Sequence, residues 1–372
     1  MIRVAYFAPV LATGGTQRHL QQVLGRLDRA RFAARVYTLV PGGEVEAELR
    51  AAGVDVVALA VGPHLVAVRA ARAILRAAAG LRADAVRIVH GYQWRPALVG
   101  VLAARLARVP LVLASKRSLT GDDARARRAW RLIARHVDTV VVNADALRRE
   151  GEAHGMAARW ALIPSGVDVE RFGNGPPPAE AKRALGLDPR RPVVGTIGRL
   201  EARKGHEHFL DATRTLLGVA NGLRPQVVIV GAGPLRAELA RRSAELGVAR
   251  TVRFTGALAD VRLALAAMDV FVLPSNAEGM SNALLEAMAA RRPVVATAVG
   301  GTREVLDGGA GVLVSPGDPA ELAREIMQLL ADPARAARLG DAARRRVEQR
   351  FDARAMAQQM EALYAERLAR AA

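Results

Sequence analysis

Two glutamates that stand eight positions apart, Glu278 and Glu286, are the first residues whose types and spacing suggest chemistry. Glu278 comes just before a stretch of strong helix formers, and Glu286 lies inside it. Between them the chain runs through Gly279, Met280, Ser281 and Asn282. Ser281 or Asn282 is a natural N-cap, so the first amides of the predicted helix should point outward at its positive end.

Carboxylates beside such amides can bind a ligand that is rich in hydroxyl groups, because each carboxylate accepts several hydrogen bonds. We expect one acid to bind sugar hydroxyls and the other to bind a ribose diol. The alternative is that Glu278 is a helix-dipole residue and Glu286 a surface acid. The apolar surroundings of Glu286 argue against that alternative, since an acid in a buried helix needs a partner.

Two cations follow the first predicted strand of the second half of the chain. The stretch GRLEARKG places Arg199 and Lys204 on a loop where Gly198 allows close approach. Cations at the carboxyl end of a strand suit a diphosphate. Only three of the 54 Lys and Arg residues are lysines, and Lys204 is one of them. The choice of lysine favours a point charge at this position, with chance as the alternative.

Glycine-rich turns supply a third kind of site. Gly14 and Gly15 precede a helix after the first predicted strand, where backbone amides can approach an anion or a hydroxyl group. A plain tight turn has the same pattern. Gly231 ends a later strand in VGAGPLRAEL, which partly matches a dinucleotide-binding fingerprint. Arg236 stands where the third glycine should be, so NAD binding is not favoured.

These residues need a scaffold, and the sequence alternates short β-branched runs with helical stretches. Strands are predicted near Val4–Phe7, Val36–Val40, Val54–Leu59, Ile88–Val89, Leu111–Leu113, Val137–Val142, Val193–Ile197, Val227–Val230, Val252–Thr255, Val270–Leu273, Val294–Ala296 and Val312–Val314. Predicted helices include Gln17–Leu27, Pro96–Ala107, Ala334–Gln349 and Ala353–Ala369. The alternation is typical of parallel sheets with crossover helices. The Gly- and Pro-rich segment Pro164–Glu180 predicts a linker or domain boundary between two doubly wound domains.

Composition narrows the class of protein. With 372 residues, 51% hydrophobic and 24% charged, the chain is globular and of a size for two domains. It has no cysteine, which excludes disulfides and thiolate sites. No apolar run reaches the roughly 18 residues of a membrane span, and the first residues resemble a strand rather than a signal peptide. These features predict a cytoplasmic protein.

The net charge of +18 is concentrated in residues 1–165, which hold 25 Lys and Arg residues against 12 Asp and Glu, a net charge of +13. This excess can attract an anionic membrane surface, nucleic acid or phosphorylated ligands, and an ordinary solvated surface is the alternative. Aromatic residues make up only 4% of the chain, and no nucleic-acid-binding motif is present. We therefore expect no nucleic acid partner, and a peripheral position at the inner face of a membrane becomes a hypothesis.

The spacing of Glu278 and Glu286 within EGMSNALLEAMAARRPVVAT resembles the signature of the family 4 retaining glycosyltransferases. GRLEARKG resembles that family's donor-phosphate loop, and VGAGPLRAEL, VRFTG, VGGTREVL and PSGVDVERF fall in its order and spacing. The resemblance implies an α/β GT-B fold, in which two Rossmann-like doubly wound parallel-sheet domains face a cleft. Residues 1–165 would bind the acceptor and residues 166–351 the nucleotide-sugar. A final helix over about 352–370 would pack back on the first domain.

The resemblance also implies roles for single residues in the second domain. The residues expected to contact the donor are Gly198, Arg199, Lys204, Gly231, Glu278, Gly279, Met280, Ser281, Asn282 and Glu286. Arg199 and Lys204 would hold the diphosphate, and Glu286 would bind the ribose hydroxyls. Glu278, together with the amides that follow it, would hold the donor sugar. Glu278, Arg199 and Lys204 are therefore the catalytic candidates in this domain.

In the first domain the resemblance is looser. The Gly14–Gly15 turn would lie near the phosphate and the acceptor, and His90 in VHGYQW resembles a histidine of many members, which makes it a further catalytic candidate. Many members carry Glu where this chain has Gln17. Many also carry a sugar-contacting His where this chain has Lys116 and Arg117. That departure resembles a subset that acts in polysaccharide or lipid-linked sugar assembly.

The expected reaction is transfer of a sugar from a nucleotide-diphosphate sugar to an acceptor hydroxyl, with retention at the anomeric carbon. The family mechanism implies front-face attack, in which the leaving diphosphate accepts the proton of the acceptor. No Asp-x-Asp motif is present, so neither a metal nor another cofactor is expected. A UDP-sugar is the first expectation for the donor and a GDP-sugar the second, with a sugar or lipid-linked acceptor used in polysaccharide, glycolipid or glycoconjugate biosynthesis. The alternatives are a nucleotide-sugar epimerase of the same fold and a sugar-nucleotide-binding protein without turnover.

Overall fold

The chain, described here by a computed structural model, divides into two compact units. Unit 1 comprises Met1–Gly166 with Ala353–Ala372, and unit 2 comprises Val167–Asp352. The structure describes residues 1–12, 14–62, 67–121, 123–218 and 222–371. The junctions between the units lie one residue from those of the predicted domains, which end at residues 165 and 351.

Unit 1 is built on a parallel sheet of seven strands. The strands are β1 (Ile2–Ala8), β2 (Phe32–Thr38), β3 (Asp55–Ala58), β4 (Ile88–Tyr92), β5 (Leu111–Lys116), β6 (Thr139–Val142) and β7 (Trp160–Leu162). The helices are α1 (Gly15–Leu24), α2 (Glu44–Ala51), α3 (Ala67–Ala83), α4 (Trp94–Ala107), α5 (Ala124–His136) and α6 (Asp145–Ala153). The order across the sheet is β3-β2-β1-β4-β5-β6-β7, a doubly wound arrangement.

Unit 2 repeats the scheme on a parallel sheet of six strands. The strands are β8 (Val193–Ile197), β9 (Gln226–Val230), β10 (Val252–Gly256), β11 (Val270–Leu273), β12 (Val294–Thr297) and β13 (Val312–Val314). The helices are α7 (Val169–Gly173), α8 (Pro178–Ala184), α9 (His206–Gly218), α10 (Arg236–Glu245), α11 (Arg262–Ala267), α12 (Asn282–Ala289), α13 (Thr302–Leu306), α14 (Pro319–Ala331) and α15 (Pro333–Arg350). The order is β10-β9-β8-β11-β12-β13, so both sheets confirm the predicted fold class.

Continuous apolar strands explain why these sheets are covered on both faces. Every residue of β8, β9, β11 and β12 is buried. A strand with two buried faces belongs in a parallel sheet between helical layers. Each fully buried Val or Ile side chain stabilises the fold by about 1.5–3 kcal/mol. The rigid sheet therefore fixes the positions of the loops that follow its strands.

The last helix, α16 (Ala353–Ala371), packs on the sheet of unit 1 although it lies at the end of the chain. Its residues Met356, Met360 and Tyr364 belong to the same hydrophobic core as Tyr6 and Ile88. The Tyr364 hydroxyl lies 2.6 Å from Nδ1 of His90, so a polar contact as well as apolar packing joins α16 to β4.

Two segments differ from the sequence expectation. Strand β7 was not predicted, because Trp160–Leu162 has three residues and no β-branched run to mark it. The segment Pro164–Glu180 contains the boundary but is not a bare linker, since α7 lies inside it and α8 begins there. The Asp168 side chain caps α7 by accepting a hydrogen bond from the Arg171 amide, and a proline at Pro178 suits the first turn of α8.

Candidate functional site

The strand ends of unit 2 bring Lys204 and Glu278 into direct contact. Lys204 ends a 3-10 turn, Ala202–Lys204, after β8, and Glu278 lies in the loop between β11 and α12. Lys204 Nζ and Glu278 Oε1 form an ion pair. Only 4% of the Glu278 side chain and 13% of the Lys204 side chain are exposed, so water screens their attraction weakly. The sequence predicts a separate role for each residue, and the structure joins the two as an ion pair.

Further polar groups orient the Glu278 carboxylate. The Ser275 hydroxyl donates a hydrogen bond of 2.8 Å to Glu278 Oε1, and Arg203 Nη1 lies 3.9 Å from Oε2. Ser275 follows β11 and is joined to the end of β12, because the Thr297 hydroxyl donates a hydrogen bond of 2.5 Å to the Ser275 carbonyl oxygen. The carboxylate is thus fixed by contacts from the loops after β8 and β11, and β12 supports Ser275.

Glycines let these loops approach each other at the level of the backbone. Gly205 has a φ of +62°, and a Cβ at this position would lie 2.0 Å from the Pro274 carbonyl oxygen. Gly231 has a φ of +139°, and its Cβ would lie 1.9 Å from the Gly198 carbonyl oxygen. No residue with a side chain fits either position. The two glycines therefore fix the spacing of the loops after β8, β9 and β11.

Arg199 stands on the same loop, and 61% of its side chain is exposed. Its Nε lies 3.5 Å from Glu201 Oε2, and its carbonyl oxygen lies 3.0 Å from Nε2 of His206. Burial lowers the pKa of His206, so its ring is neutral. The hydrogen bond that its Nε2 donates to the Arg199 carbonyl oxygen fixes the loop after β8. A Cβ at Gly198 would lie 3.7 Å from Lys204 Cδ, an ordinary contact distance, so packing within the chain does not require glycine there.

The start of α12 lies directly beyond Glu278. Ser281 is the N-cap, and its hydroxyl accepts a hydrogen bond of 3.4 Å from the Leu284 amide, so the helix begins at Asn282. The Gly279 carbonyl oxygen accepts a hydrogen bond of 2.9 Å from the Gly301 amide, and Met280 is buried. Glu286 lies one turn into α12 and is half-buried. The positive end of a helix therefore faces the loop that carries Glu278.

In unit 1, the turn at Gly14 leads into α1, which begins at Gly15. The Gln17 side chain bends back over this turn, and its Nε2 donates a hydrogen bond of 2.7 Å to the Val10 carbonyl oxygen. A Cβ at Gly14 would lie 2.7 Å from Gln17 Oε1, so a larger residue would displace that side chain from its present position. Gln17 thus secures the turn, at the position where many family members carry a glutamate.

His90, a catalytic candidate from the sequence, lies in the interior of unit 1 and is fully buried. Both ring nitrogens have partners: Nδ1 lies 2.6 Å from the Tyr364 hydroxyl and Nε2 lies 2.8 Å from the Ser115 hydroxyl. Burial, together with the charge of Arg117, lowers the pKa of His90 to about 3. The imidazole is therefore neutral at physiological pH, and these contacts suit a residue that joins β4, β5 and α16.

Lys116 is the other lysine near a predicted site, and the structure gives it a structural partner. Its side chain is 1% exposed and forms an ion pair with Glu150 on α6. Glu150 Oε1 also accepts hydrogen bonds of 2.6 Å from the Thr120 amide and 3.0 Å from the Gly121 amide. Lys116 and Glu150 thus hold the loop after β5. Arg117, the residue after Lys116, has no such carboxylate partner among the described residues.

Two residues of the unit 2 site were missed from the sequence. Arg203 lies inside the quoted stretch GRLEARKG, and Ser275 comes two residues after β11 ends. The rule that ligands meet the carboxyl ends of parallel strands could have singled out Ser275. Nothing in the sequence distinguishes Arg203 from the many other arginines, because its closeness to Glu278 depends on the tertiary fold.

The described residue ranges contain no group of three or more His, Asp or Glu side chains arranged to hold a metal ion. The same ranges contain no helix with the length and apolar character needed to cross a lipid bilayer.

Both halves of the chain are similar to known glycosyltransferases. The sequence profile of a family described as Glycosyltransferase Family 4 matches residues 13–171, and that of Glycosyl transferases group 1 matches residues 191–332. The chain is 33% identical over 353 residues to a D-inositol 3-phosphate glycosyltransferase of Geodermatophilus obscurus, covering 86% of this chain and 78% of the relative. A protein of the same name from Streptomyces bingchenggensis is 33% identical over 300 residues, covering 74% of this chain and 66% of the relative.

A third relative is the GDP-mannose-dependent monoacylated alpha-(1-6)-phosphatidylinositol monomannoside mannosyltransferase of Corynebacterium glutamicum, 33% identical over 236 residues. The chain spans 60% of the length of that relative. Among solved structures, Anabaena HepE in complex with UDP and glucose superposes with a TM-score of 0.88 at 23% identity, covering 98% of this chain and 100% of HepE. The sucrose-phosphate synthase of Thermosynechococcus elongatus gives a TM-score of 0.81 at 24% identity, covering 99% of this chain and 100% of that one.

Proposed function

Because the chain belongs to glycosyltransferase family 4, we propose that it transfers a sugar from a nucleotide-diphosphate sugar to an acceptor hydroxyl, with retention at the anomeric carbon and without a metal ion. The observation that carries this proposal is the cluster at the strand ends of unit 2, where Lys204, Ser275 and Glu278 meet beside the start of α12. A UDP-sugar is our first choice of donor and a GDP-sugar the second. The relatives named for GDP-mannose and for inositol phosphate support a nucleotide-sugar donor and a glycolipid or glycoconjugate product.

In this proposal the residues of the cluster have different roles. Lys204 and the exposed Arg199 bind the diphosphate and stabilise the negative charge that develops as it leaves. Amides at the start of α12 add to this stabilisation. Glu278, oriented by Ser275, holds the hydroxyls of the donor sugar and also fixes the position of Lys204. The acceptor oxygen attacks from the face of the departing diphosphate, which accepts its proton.

The direct test is a search for the substrates. A set of nucleotide-sugars is screened by thermal shift, and each donor that raises the melting temperature is incubated with sugar and lipid-linked acceptors. Mass spectrometry should then find an acceptor whose mass has increased by one sugar residue, together with the free nucleoside diphosphate. Binding of no nucleotide-sugar at all would contradict the proposal.

Glu286→Ala should weaken the binding of UDP or GDP by about 30- to 1,000-fold, because a hydrogen bond to a charged acceptor commonly contributes about 2–4 kcal/mol. The reason is that Glu286, half-buried on α12, is the residue we assign to the ribose diol. Isothermal calorimetry measures both affinities. A nucleotide affinity equal to that of the wild type would refute the ribose assignment.

Dialysis against EDTA should leave the rate of transfer nearly unchanged. In this proposal Lys204 and Arg199 offset the charge of the diphosphate, a task that a divalent cation performs in metal-dependent enzymes. The measurement is the initial rate before dialysis, after dialysis, and after Mg²⁺ or Mn²⁺ is added back. A loss of activity that the added metal restores would count against metal independence.

Unit 1 should bind anionic vesicles through helix α5. The arginines Arg125, Arg128, Arg131 and Arg135 recur every three or four residues on its exposed side, next to the partly exposed Leu132. Each arginine near an anionic bilayer contributes about 1 kcal/mol of attraction. Cosedimentation should therefore rise with the fraction of anionic lipid and fall as salt is added.

The double variant Arg128→Glu/Arg131→Glu should reduce this cosedimentation by at least about 10-fold, given roughly 1 kcal/mol for each charge removed. The matched control is Arg338→Glu/Arg345→Glu on α15, which reverses two exposed arginines of unit 2. The control should bind vesicles as the wild type does. Equal binding of all three proteins, or equal binding to neutral and anionic vesicles, would refute the membrane hypothesis.

A further inference from the structure

Unit 1 buries a positive charge that the chain does not neutralise. Arg117 follows β5 and is 9% exposed. The hydrogen bond that the structure gives its guanidinium is a donation of 2.8 Å to the Ser165 hydroxyl, which is neutral. Burial lowers the pKa of Arg117 to about 10, and no carboxylate of the described residues offsets this effect. An interior cation without a carboxylate partner is costly to the folded state, so its presence calls for an explanation.

The adjacent residue shows that the fold can pair a cation where stability alone is needed. Lys116, one position earlier, is also buried, with 1% exposed, and has Glu150 as its ionic partner. The same β5 end therefore carries one paired cation and one that is paired with no acid in the described part of the chain. Sequence reasoning treats Lys116 and Arg117 as a pair of substitutes for a single sugar-contacting histidine. The structure separates them and leaves Arg117 as the residue available to a ligand.

Other polar atoms near Arg117 also have no partner. Asn143 Nδ2 donates a hydrogen bond of 3.0 Å to the same Ser165 hydroxyl, while its buried Oδ1 accepts none. The buried His19 has no partner at Nδ1, and its Nε2 lies 3.5 Å from the Tyr92 hydroxyl. Burial, and then the charge of Arg117, lowers the pKa of His19, so the ring is neutral. Nδ1 of His19 is therefore a buried ring nitrogen without a hydrogen-bond partner.

These residues come from different elements but share one edge of the sheet. Arg117, Asn143 and Ser165 follow the ends of β5, β6 and β7, which are neighbours in the sheet. Tyr92 ends β4, and His19 lies on α1, the helix after β1. The carboxyl edge of a parallel sheet is where such folds bind ligands. The unpaired cation and the unpartnered ring nitrogen therefore lie at the edge where a ligand is expected.

We propose that Arg117, with the Ser165 hydroxyl and with His19 in the tautomer that carries its hydrogen on Nδ1, binds an anionic group, a phosphate or a carboxylate, of the acceptor. An anion would supply the missing charge for the guanidinium and the missing acceptor for the histidine. This assignment rests on the proposed function only in identifying the ligand as the acceptor. A neutral sugar would leave the charge uncompensated, so the acceptor is an acidic or phosphorylated molecule.

The experiment measures binding of inorganic phosphate, and separately of acetate, to the full chain by calorimetry in the presence of saturating UDP. UDP occupies the nucleotide site of unit 2, so phosphate bound there does not contribute. The wild type should bind at least one of the two anions, and Arg117→Gln should weaken that binding by at least about 10-fold, as expected for loss of a charge-assisted hydrogen bond. The better-bound anion identifies the group as a phosphate or a carboxylate.

Two controls make the outcome specific. Arg72→Gln, which changes an exposed arginine on α3, should bind the anion as the wild type does. Arg117→Gln should melt no lower than the wild type when no anion is present, because it removes a buried charge without a carboxylate partner, and anions should raise the melting temperature of the wild type alone. Arg117→Lys, which keeps the charge, should retain part of the anion affinity.

Several results would overturn the proposal. One is that the wild type binds neither anion, and another is that Arg117→Gln binds the anion as the wild type does. A melting temperature of Arg117→Gln well below that of the wild type would make Arg117 a structural residue. A fall in UDP affinity in Arg117→Gln would assign Arg117 to the donor diphosphate instead of the acceptor. If the wild type bound phosphate through Arg117 but no nucleotide, the proposed function would fail while the anion site remained.

Discussion

Glu278→Gln should lower the turnover of the donor by about 30- to 1,000-fold, since the loss of a charge-assisted interaction commonly costs about 2–4 kcal/mol. Glutamine keeps the size of the side chain but removes the charge that holds Lys204 and faces Arg203. Glutamine should bind the hydroxyls of the donor sugar more weakly, and it should no longer fix the position of Lys204, the cation that binds the diphosphate. Nucleotide affinity should change much less than turnover, because Glu286 carries the ribose contact in our proposal.

Steady-state kinetics and calorimetry with UDP separate these two effects. The matched control is Glu245→Gln on α10, which removes an exposed carboxylate whose ion pair of 2.8 Å is with the exposed Arg241. An exposed pair of this kind contributes little to stability, so the control should behave as the wild type does. If Glu278→Gln turned over the donor within about 3-fold of the wild type, a difference near 0.6 kcal/mol, Glu278 would not be a catalytic residue.

Lys204→Arg should lower kcat/KM by roughly 10- to 100-fold although it conserves the charge, because a displacement of about one ångström is enough to disturb the reacting geometry. The Lys204 ammonium sits against Glu278 in a largely buried space, and a guanidinium is longer, flat and forked. The loop cannot shift to make room, because Gly205 has a φ of +62° and lies directly against the Pro274 carbonyl oxygen. The melting temperature should change little.

Lys182→Arg is the reciprocal control for this substitution. Lys182 is also a buried lysine of unit 2, with Nζ 2.7 Å from Asp269 Oδ2 and 3.0 Å from the Arg191 carbonyl oxygen. It lies on α8, and its partner Asp269 directly precedes β11, at the opposite end of that strand from the Glu278 loop. Lys182→Arg should lower the melting temperature and leave kcat/KM unchanged, the opposite of Lys204→Arg. Wild-type kinetics for Lys204→Arg would mean that any positive charge suffices, and that the rarity of lysine in this chain carried no information.

The fold could be predicted wherever a strand carries its own local signal. Strands such as β8 and β11 are continuous runs of β-branched and apolar residues, and their predicted bounds, Val193–Ile197 and Val270–Leu273, match the structure. β7 has three residues and pairs at the edge of its sheet with β6, so its existence depends on a neighbour and not on its own composition. The short helix α7 was hidden in a segment whose glycines and prolines indicated only a boundary.

In the candidate site, too, the local features could be predicted and the contacts between distant residues could not. The N-cap at Ser281 and the helix that carries Glu286 follow from local residue types. The contact between Lys204 and Glu278 joins residues 74 positions apart, and that between Lys116 and Glu150 joins residues 34 positions apart. Such pairs depend on which strands become neighbours. The burial of His90 depends on α16, at the far end of the chain, and no residue near His90 could have indicated it.

The most direct test of the central claim is the anomeric configuration of the product, determined by NMR after incubation of the wild type with a nucleotide-diphosphate sugar and an acceptor. Our account predicts that the nucleoside diphosphate is released only when an acceptor is present, that the transferred sugar keeps the configuration of the donor, and that Glu278→Gln forms little product. Inversion at the anomeric carbon would contradict the retaining mechanism. Conversion of the donor into an epimer without transfer, or binding without any turnover, would contradict the assignment as a glycosyltransferase.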